Sequence, residues 1–405
     1  MMNYVFVIVG FNSSAYGLAR SLHAKYQVKP VIFGDFNETS PILCSTIVTC
    51  HRIEAFRNPN NFSRVLIRFA RQQQVQGKQT VLLTSSEYNL YHIQKYYEDL
   101  SDYYIIPYPN DNEKASLMDK SHTFQLASQA HLPFPKNCFL SIENNDYYER
   151  SWISFPMVIK PARSATYREL DFAGKQKNYF VNSQDQLTSI VKKIREADYQ
   201  DKLVLQEKVP SAEYNEFSVN GYIDRQGNIR ALAFGRALKG WPTPQRRGNH
   251  LIIVSVTEEE QAILHQFVRQ FFEVQPYFGF FNFDFIQNSD TNEMLFLEFN
   301  PRQGRSHYYS ELSGVSLVEA LVEDIVENKP FVETKLSYRK FVWLETTLEH
   351  LIEDLSESAR QRLNDNLEEN FVDLTFTYPY DLHESAEFEK YVWIKLNNVA
   401  KVVNP

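Results

Sequence analysis

The chain has 405 residues, 43% of them hydrophobic and 23% charged, with a formal net charge of −8. That composition belongs to a soluble globular protein of two or three domains; it excludes a disordered chain and argues against a broad nucleic-acid surface, which needs clustered positive charge. Cys44, Cys50 and Cys138 are odd in number and lack CxxC spacing, so neither a disulfide framework nor a structural zinc site is expected, and a reducing, cytoplasmic setting fits.

The first apolar run, YVFVIVGF, has no Lys or Arg before it and is too short for a signal peptide or a membrane span. It reads as a strand, followed by a turn from Gly10 to Ser14, the amphipathic helix AYGLARSLHAKY and a second strand, PVIFGD, the opening of an open α/β unit. The turn sets backbone N–H groups at a helix N-terminus, where a phosphate or carboxylate is favoured, although a plain tight connection has the same look and the spacing is not GxGxxG. TVLLTSSEYNLYHI repeats the strand-to-turn step and carries Glu87, and ligands of such sheets gather at the carboxyl ends of the strands.

The pattern changes near residues 115 to 136, where MDKSHTFQLASQAHLPFPKN predicts one helix and a Pro-punctuated turn, with Lys120 at the start. FPMVIKPAR is a strand carrying Lys160, SATYRELDFAGK a polar loop, and NSQDQLTSIVKKIREA a helix with an Asn or Ser cap. LVLQEKVP is a strand ended by proline; EYNEFSVNGYID and NIRALAFGRAL form a hairpin closed by DRQGN. After the loop KGWPTPQRRGNH and the helix TEEEQAILHQFVRQFFEV, GFFNFDFIQ and EMLFLEFNPRQ form a second hairpin. Residues 331 to 405 are acidic and aromatic, with FVWLETTLEHLIEDL and FEKYVWIKL as structured pieces and no legible motif.

Alternation along the second hairpin sends Phe281, Phe283 and Phe285 to one face and Asn282 and Asp284 to the other; likewise Leu295, Leu297 and Phe299 oppose Glu298, Asn300 and Arg302. Asp284, Glu298 and Asn300 thereby offer hard oxygen donors on one surface, a set suited to Mg2+ that nucleotide phosphates complete. Arg302 could hold a transferring phosphoryl group or stabilise developing negative charge. A solvated polar hairpin face is the plain alternative for each acid taken singly, and a lysine ending an apolar strand can simply snorkel to water.

Two single lysines separated by a helix and a strand, a loop after the second, a strand ending QEKVP and finally D...ExNxR resemble the ATP-grasp superfamily, whose likeness covers roughly residues 115 to 330. The NPRxxRS run, Asn300 to Ser306, looks most like the carbamoyl-phosphate-synthetase branch. AYGLAR, the loop Pro242 to Asn249, PRQGRS and NKPFVET together resemble the D-aspartate ligases of lactic-acid bacteria and enterococci. The resemblance implies an α/β fold with four parts: a Rossmann-like pre-ATP-grasp domain over 1–115, an N-terminal ATP-grasp lobe over 116–205, a C-terminal lobe over 206–330 and an extension over 331–405. It implies ATP and Mg2+ as cofactors, with Lys120 and Lys160 on the phosphates under a loop of Ser164, Ala165 and Thr166. Gln206, Glu207, Lys208 and Val209 would take adenine and Glu216 the ribose, with Asp284, Glu298 and Asn300 on the metal.

The same resemblance implies an acyl-phosphate ligase that activates the β-carboxylate of D-aspartate for attack by a lysine ε-amino group of a peptidoglycan precursor, or else joins other amino acids. Arg302, Arg305 and Lys160 would be catalytic. Arg302, Arg305 and Ser306 would surround the acyl phosphate, Gly248, Asn249 and His250 the acceptor, and Asn12, Ser13, Ser14 and Glu87 the first-domain side. Asn282 departs from a pattern in which some ligases carry arginine, so that duty falls to Arg302, Arg305 or the QRRGNH loop; Arg246 and Arg247 there, like His250 and His307, could equally be surface groups. The expected partners are small molecules, with no nucleic acid and no transmembrane segment, and the oligomeric state stays open, a homodimer included. A nucleotide-binding scaffold is opposed by the intact metal set, and a nicotinamide oxidoreductase by the absence of GxGxxG.

Overall fold

A computed structural model describes residues 3–35, 41–53, 59–110, 116–142, 154–211, 215–241, 248–345, 355–367 and 372–374. The chain opens with β1 (Tyr4–Val9), α1 (Ser13–Tyr26), β2 (Val31–Gly34), β3 (Thr49–Arg52), α2 (Pro59–Val75), β4 (Gln79–Leu83), α3 (Glu87–Lys95), α4 (Tyr97–Ser101) and β5 (Tyr104–Ile105). These strands form a parallel sheet in the order β3-β2-β1-β4-β5. Its central strands are buried on both sides because helices cover both faces. β3 and α2 have no counterpart in the sequence reading: the four residues of β3 are polar and mostly exposed, so no period marks them.

α5 (Lys120–Gln129), β6 (Asn137–Leu140), β7 (Met157–Pro161), α6 (Ser164–Glu169), β8 (Tyr179–Val181), α7 (Gln184–Glu196) and β9 (Leu203–Glu207) follow. The strands make an antiparallel sheet ordered β6-β9-β7-β8. Ser183 is the cap of α7, accepting from the Gln186 N–H, which settles the Asn-or-Ser choice. The stretch after Lys160, expected as a loop, is instead the helical turn α6, and its N-terminal Ser164 faces Lys120.

The remaining elements are β10 (Glu216–Ile223), β11 (Ile229–Gly240), β12 (His250–Val254), α8 (Glu258–Val274), β13 (Gly279–Gln287), β14 (Met294–Asn300), α9 (Tyr309–Leu312), α10 (Leu317–Ile325), β15 (Lys335–Leu336), β16 (Val342–Leu344), α11 (Glu357–Leu367) and β17 (Val372–Leu374). They build the third sheet, β14-β13-β10-β11-β12-β16-β17, with β15 on β11. Both expected hairpins are present, β10 with β11 and β13 with β14. Thr257 and Glu260 close a reciprocal capping box that starts α8, and three glutamates in its first turn oppose the positive end of its dipole.

One expectation about faces fails. Phe281, Phe283 and Phe285 do share the core with Phe271 and Phe299, the Phe283 and Phe299 rings lying 4.9 Å apart. But the β13–β14 register slips, Asp284 facing Glu298 while Phe285 faces Phe296, so Leu297 is an extra residue. This bulge turns Phe296 into the same core as Phe299 and sends Leu295 and Leu297 to a small cluster with Val209 and Ile286. Strict alternation would have placed Phe296 beside the acids.

The candidate active site

The polar rows of the third sheet line up across strands. Ser218, Asp284 and Glu298 are register partners along one row, and Asn220, Asn282 and Asn300 along the next. Asn300 donates to Asn282 Oδ1 at 3.0 Å, and Asn282 donates to Ser218 Oγ at 2.9 Å. Asn220 accepts from the Gly304 N–H at 2.6 Å and donates to the Tyr309 hydroxyl at 3.1 Å, which in turn donates to the Ser218 carbonyl at 2.6 Å. These buried bonds fix the PRQGRS turn against the sheet, and a side chain at Gly304 would press within 3.1 Å of Asn282. Asn220 escaped the sequence reading because only strand register aligns it with the hairpin, and Tyr309 because only the packing of α9 brings its hydroxyl there.

Lys120, at the start of α5, crosses from the second sheet to the third: its Nζ lies 2.9 Å from Glu298 Oε1 and donates to Ser164 Oγ at 3.0 Å. Burial alone would push the Glu298 carboxyl up, but Lys120, Lys177 and Lys160 hold it down at about 2. Burial likewise opposes the charge on Lys120, yet Glu298 and Glu87 keep its pKa above the usual lysine value. Lys160 goes the other way, to about 8, through burial first and then through the nearby Lys120 and Lys177. Lys177 is thus a third cation of this cluster, unmarked by any motif; it also lies beside Gly248, whose φ is +83°.

Asp284 is pushed up to about 6 by burial and by the Glu298 carboxylate opposite. Two carboxylates and an amide oxygen crowded on one surface are what a divalent cation relieves, so the set fits Mg2+. Among the described residues there is no cluster of three His, Cys, Asp or Glu that could hold a metal alone. Asn300 Oδ1 already accepts from Arg302 at 2.9 Å, and Arg302 also reaches to 4.0 Å from Glu87.

Glu216 and His250 form a pair at 3.0 Å, each holding the other charged against the cost of burial. His250 therefore begins β12 as a partnered, half-buried group, and His307 is only 2% exposed; neither is a surface-loop histidine. His307 Nδ1 donates to the Gly304 carbonyl at 2.9 Å, and burial depresses its pKa to about 4. Thr166 donates its hydroxyl to Asp201 at 2.6 Å, and the Asn12 Oδ1 caps α1 by accepting from the Ala15 N–H. The Glu207 and Lys208 amides donate to Lys136 and Pro156 carbonyls, which narrows any adenine contact along Gln206–Val209 to other backbone groups. Asn249 contributes its carbonyl to the Trp241 amide, and Ser306 is buried. Arg246 and Arg247 lie outside the described residues.

A second focus forms where α1 meets the PRQGRS turn. Glu345, just past β16, accepts from Ser13 Oγ and from Arg305 Nη2, each at 3.1 Å. Nothing in the sequence signals Glu345. A cavity of about 430 Å³ lined by Ser86, Glu87, Ser164, Ala165 and Lys177 opens between the first two sheets, and another of similar size follows the carboxyl edge of β1 past Gly10 and Asn12.

No protein-family model matches the chain. It is 27% identical over 387 residues to a D-aspartate ligase of Enterococcus faecium, covering 93% of this chain and 91% of that one. Among solved structures it superposes on the ADP complex of N5-carboxyaminoimidazole synthetase from Staphylococcus aureus with a TM-score of 0.61 at 13% identity, over 90% of this chain and 96% of that one. The chain has the fold of these synthetases and is similar to a D-aspartate ligase along most of its length. An L-amino acid ligase from Bacillus licheniformis shares the fold with a TM-score of 0.55 at 16% identity, over 80% of this chain and 74% of that one. The chain thus carries the expected α/β architecture, with acids and lysines meeting between the second and third sheets.

Proposed function

We propose that this chain is a D-aspartate ligase of the ATP-grasp type that extends a peptidoglycan precursor. The observation that carries the reading is the Lys120–Glu298 contact at 2.9 Å, which brings a lysine at the start of α5 onto the carboxylate row of the third sheet. Lys120, Lys160 and Lys177 neutralise the nucleotide phosphates. Asp284, Glu298 and Asn300 hold Mg2+, which when bound neutralises phosphate charge. An oxygen of the β-carboxylate of D-aspartate attacks the γ-phosphorus, the bond to the bridging oxygen breaks, and ADP leaves with that electron pair. Arg302 steadies the charge of the transferring group. The lysine ε-amine of the precursor then attacks the acyl carbon; the C–N bond forms as inorganic phosphate departs and the amine loses a proton.

The likeness to D-aspartate ligase along most of both chains supports this donor, and the likeness to an L-amino acid ligase keeps free amino acids as the second reading for the acceptor. The parts implied by the resemblance, 1–115, 116–205, 206–330 and 331–405, and a cytoplasmic location belong to the same proposal; among the described residues no helix is long and apolar enough to cross a membrane. ATP-dependent phosphate release is to be assayed with D- and L-amino acids, with and without muramyl pentapeptide. Release that needs D-aspartate and the pentapeptide is expected. Release with pairs of free amino acids and no response to the pentapeptide would replace this reading with the second.

A further inference from the structure

We infer that Glu345 is the receptor for the ammonium group of the donor amino acid, with the first turn of α1 and Arg305 receiving its α-carboxylate; the inference rests on the ligase reading above. Glu345 is 9% exposed, and both of its donors, Ser13 Oγ and Arg305 Nη2, fall on the same oxygen, Oε1. The other oxygen, Oε2, is buried without a hydrogen-bond partner. Arginine–carboxylate pairs are frequently bidentate, and this one is not. Instead one oxygen is spent on orienting the group and the other is left as a buried acceptor, an arrangement that native structures seldom leave unfilled.

The opposite charge preference stands beside it. Ser14 is 1% exposed, and its hydroxyl is also buried without a partner. It follows Ser13 in the first turn of α1, a helix of 14 residues whose Asn12 cap is spent on the Ala15 N–H. The first-turn amides have no acceptor inside a helix, and the dipole makes that end positive. Acceptor and donors are therefore adjacent, the pattern that reads an ammonium and a carboxylate on one carbon. Arg302, three residues before Arg305, points to Asn300 and so toward the acids and lysines, which leaves the donor's side-chain carboxylate for phosphorylation.

The test compares D-aspartate with succinate, the same dicarboxylate with hydrogen in place of the ammonium, in ATP-dependent phosphate release by the wild type and by Glu345→Gln. Glutamine keeps the contacts to Ser13 and Arg305 and removes the charge. A hydrogen bond to a charged group corresponds to roughly 10- to 100-fold in affinity, so the KM for D-aspartate should rise by about that factor, the preference over succinate should vanish, and the KM for ATP should stay within about twofold. A Glu345→Gln enzyme that still prefers D-aspartate over succinate as strongly as the wild type overturns the inference alone. If the wild type turns over no amino acid, the ligase reading falls and takes this inference with it. Ser14→Ala supplies the independent arm should Glu345→Gln fail to fold: it should raise the KM of both donors by the same factor, and an unchanged KM for both overturns the placement.

Discussion

At the scale of single residues the chemistry is decided by which charges share a space. Glu298 stays ionised, with its carboxyl held at about 2, because three ammonium groups outweigh the penalty of burial. Glu298→Gln removes the charge that pairs with Lys120 and one donor of the proposed metal set. Phosphate release should fall by roughly 10²- to 10³-fold with the thermal midpoint little changed, and near-normal turnover would exclude Glu298 from the site. Lys160, held at about 8, is mostly charged at pH 7 and mostly neutral at pH 9. If Lys160 holds phosphate as proposed, that cation is lost from the free protein as pH rises through 8, so kcat/KM for ATP should decline there. Lys160→Arg, which stays protonated, should flatten that limb; an unaltered decline in the variant would assign it to another group.

At the scale of elements, short pieces are positioned by buried polar contacts as much as by packing. α9 has only four residues, and its Glu311 accepts from Ser316 Oγ at the cap of α10 at 2.9 Å, with Ser21 of α1 as a second donor. Burial first, with Glu319 adding to it, raises the Glu311 carboxyl to about 7. Because the folded value exceeds the unfolded one, Glu311 favours the folded state most below about 4.5, and this is lost as pH climbs through 7. Glu311→Gln should therefore be more stable than the wild type at pH 8, by roughly 1–3 kcal/mol, with the gain shrinking toward pH 5. Denaturant titrations of both proteins at the two pH values check the sign; equal differences at both would show that Glu311 is not the titrating group.

At the scale of the whole molecule, the polar N-terminal turns and the late C-terminal segment are tied through one core. Trp343 of β16 is 1% exposed and belongs to the same cluster as Ile8, Leu18 and Leu82 of the first sheet and its helix, with Tyr309 and Phe341 between. Trp343→Ala should cost about 3–5 kcal/mol, seen as a lower urea midpoint, and because Glu345 lies two residues on, the KM for the donor should rise with it. A stability loss below about 0.5 kcal/mol would mean that β16 is only an edge decoration.

Much of this was legible from the chain alone. Strong periods marked β1, α1, β7, α8 and both hairpins, because a two-residue or 3.6-residue repeat is a local property of the chain. The oxygen donors Asp284, Glu298 and Asn300 were legible as a set because they lie on one hairpin, whereas a phosphate role for Lys120 and Lys160 came only from a family resemblance. The bulge at Leu297 was not legible, since both Phe296 and Leu297 are apolar and only packing against Phe271 chooses between them. Nor were the Asn220–Asn282–Asn300 row, the charge of Lys177 at the site or the approach of Glu345 to Ser13, whose partners are 332 residues apart. The sequence by itself determined the kinds of groups and the elements that carry them. Only the tertiary structure decided which groups face one another, because burial and the nearness of charges depend on contacts that no local pattern encodes.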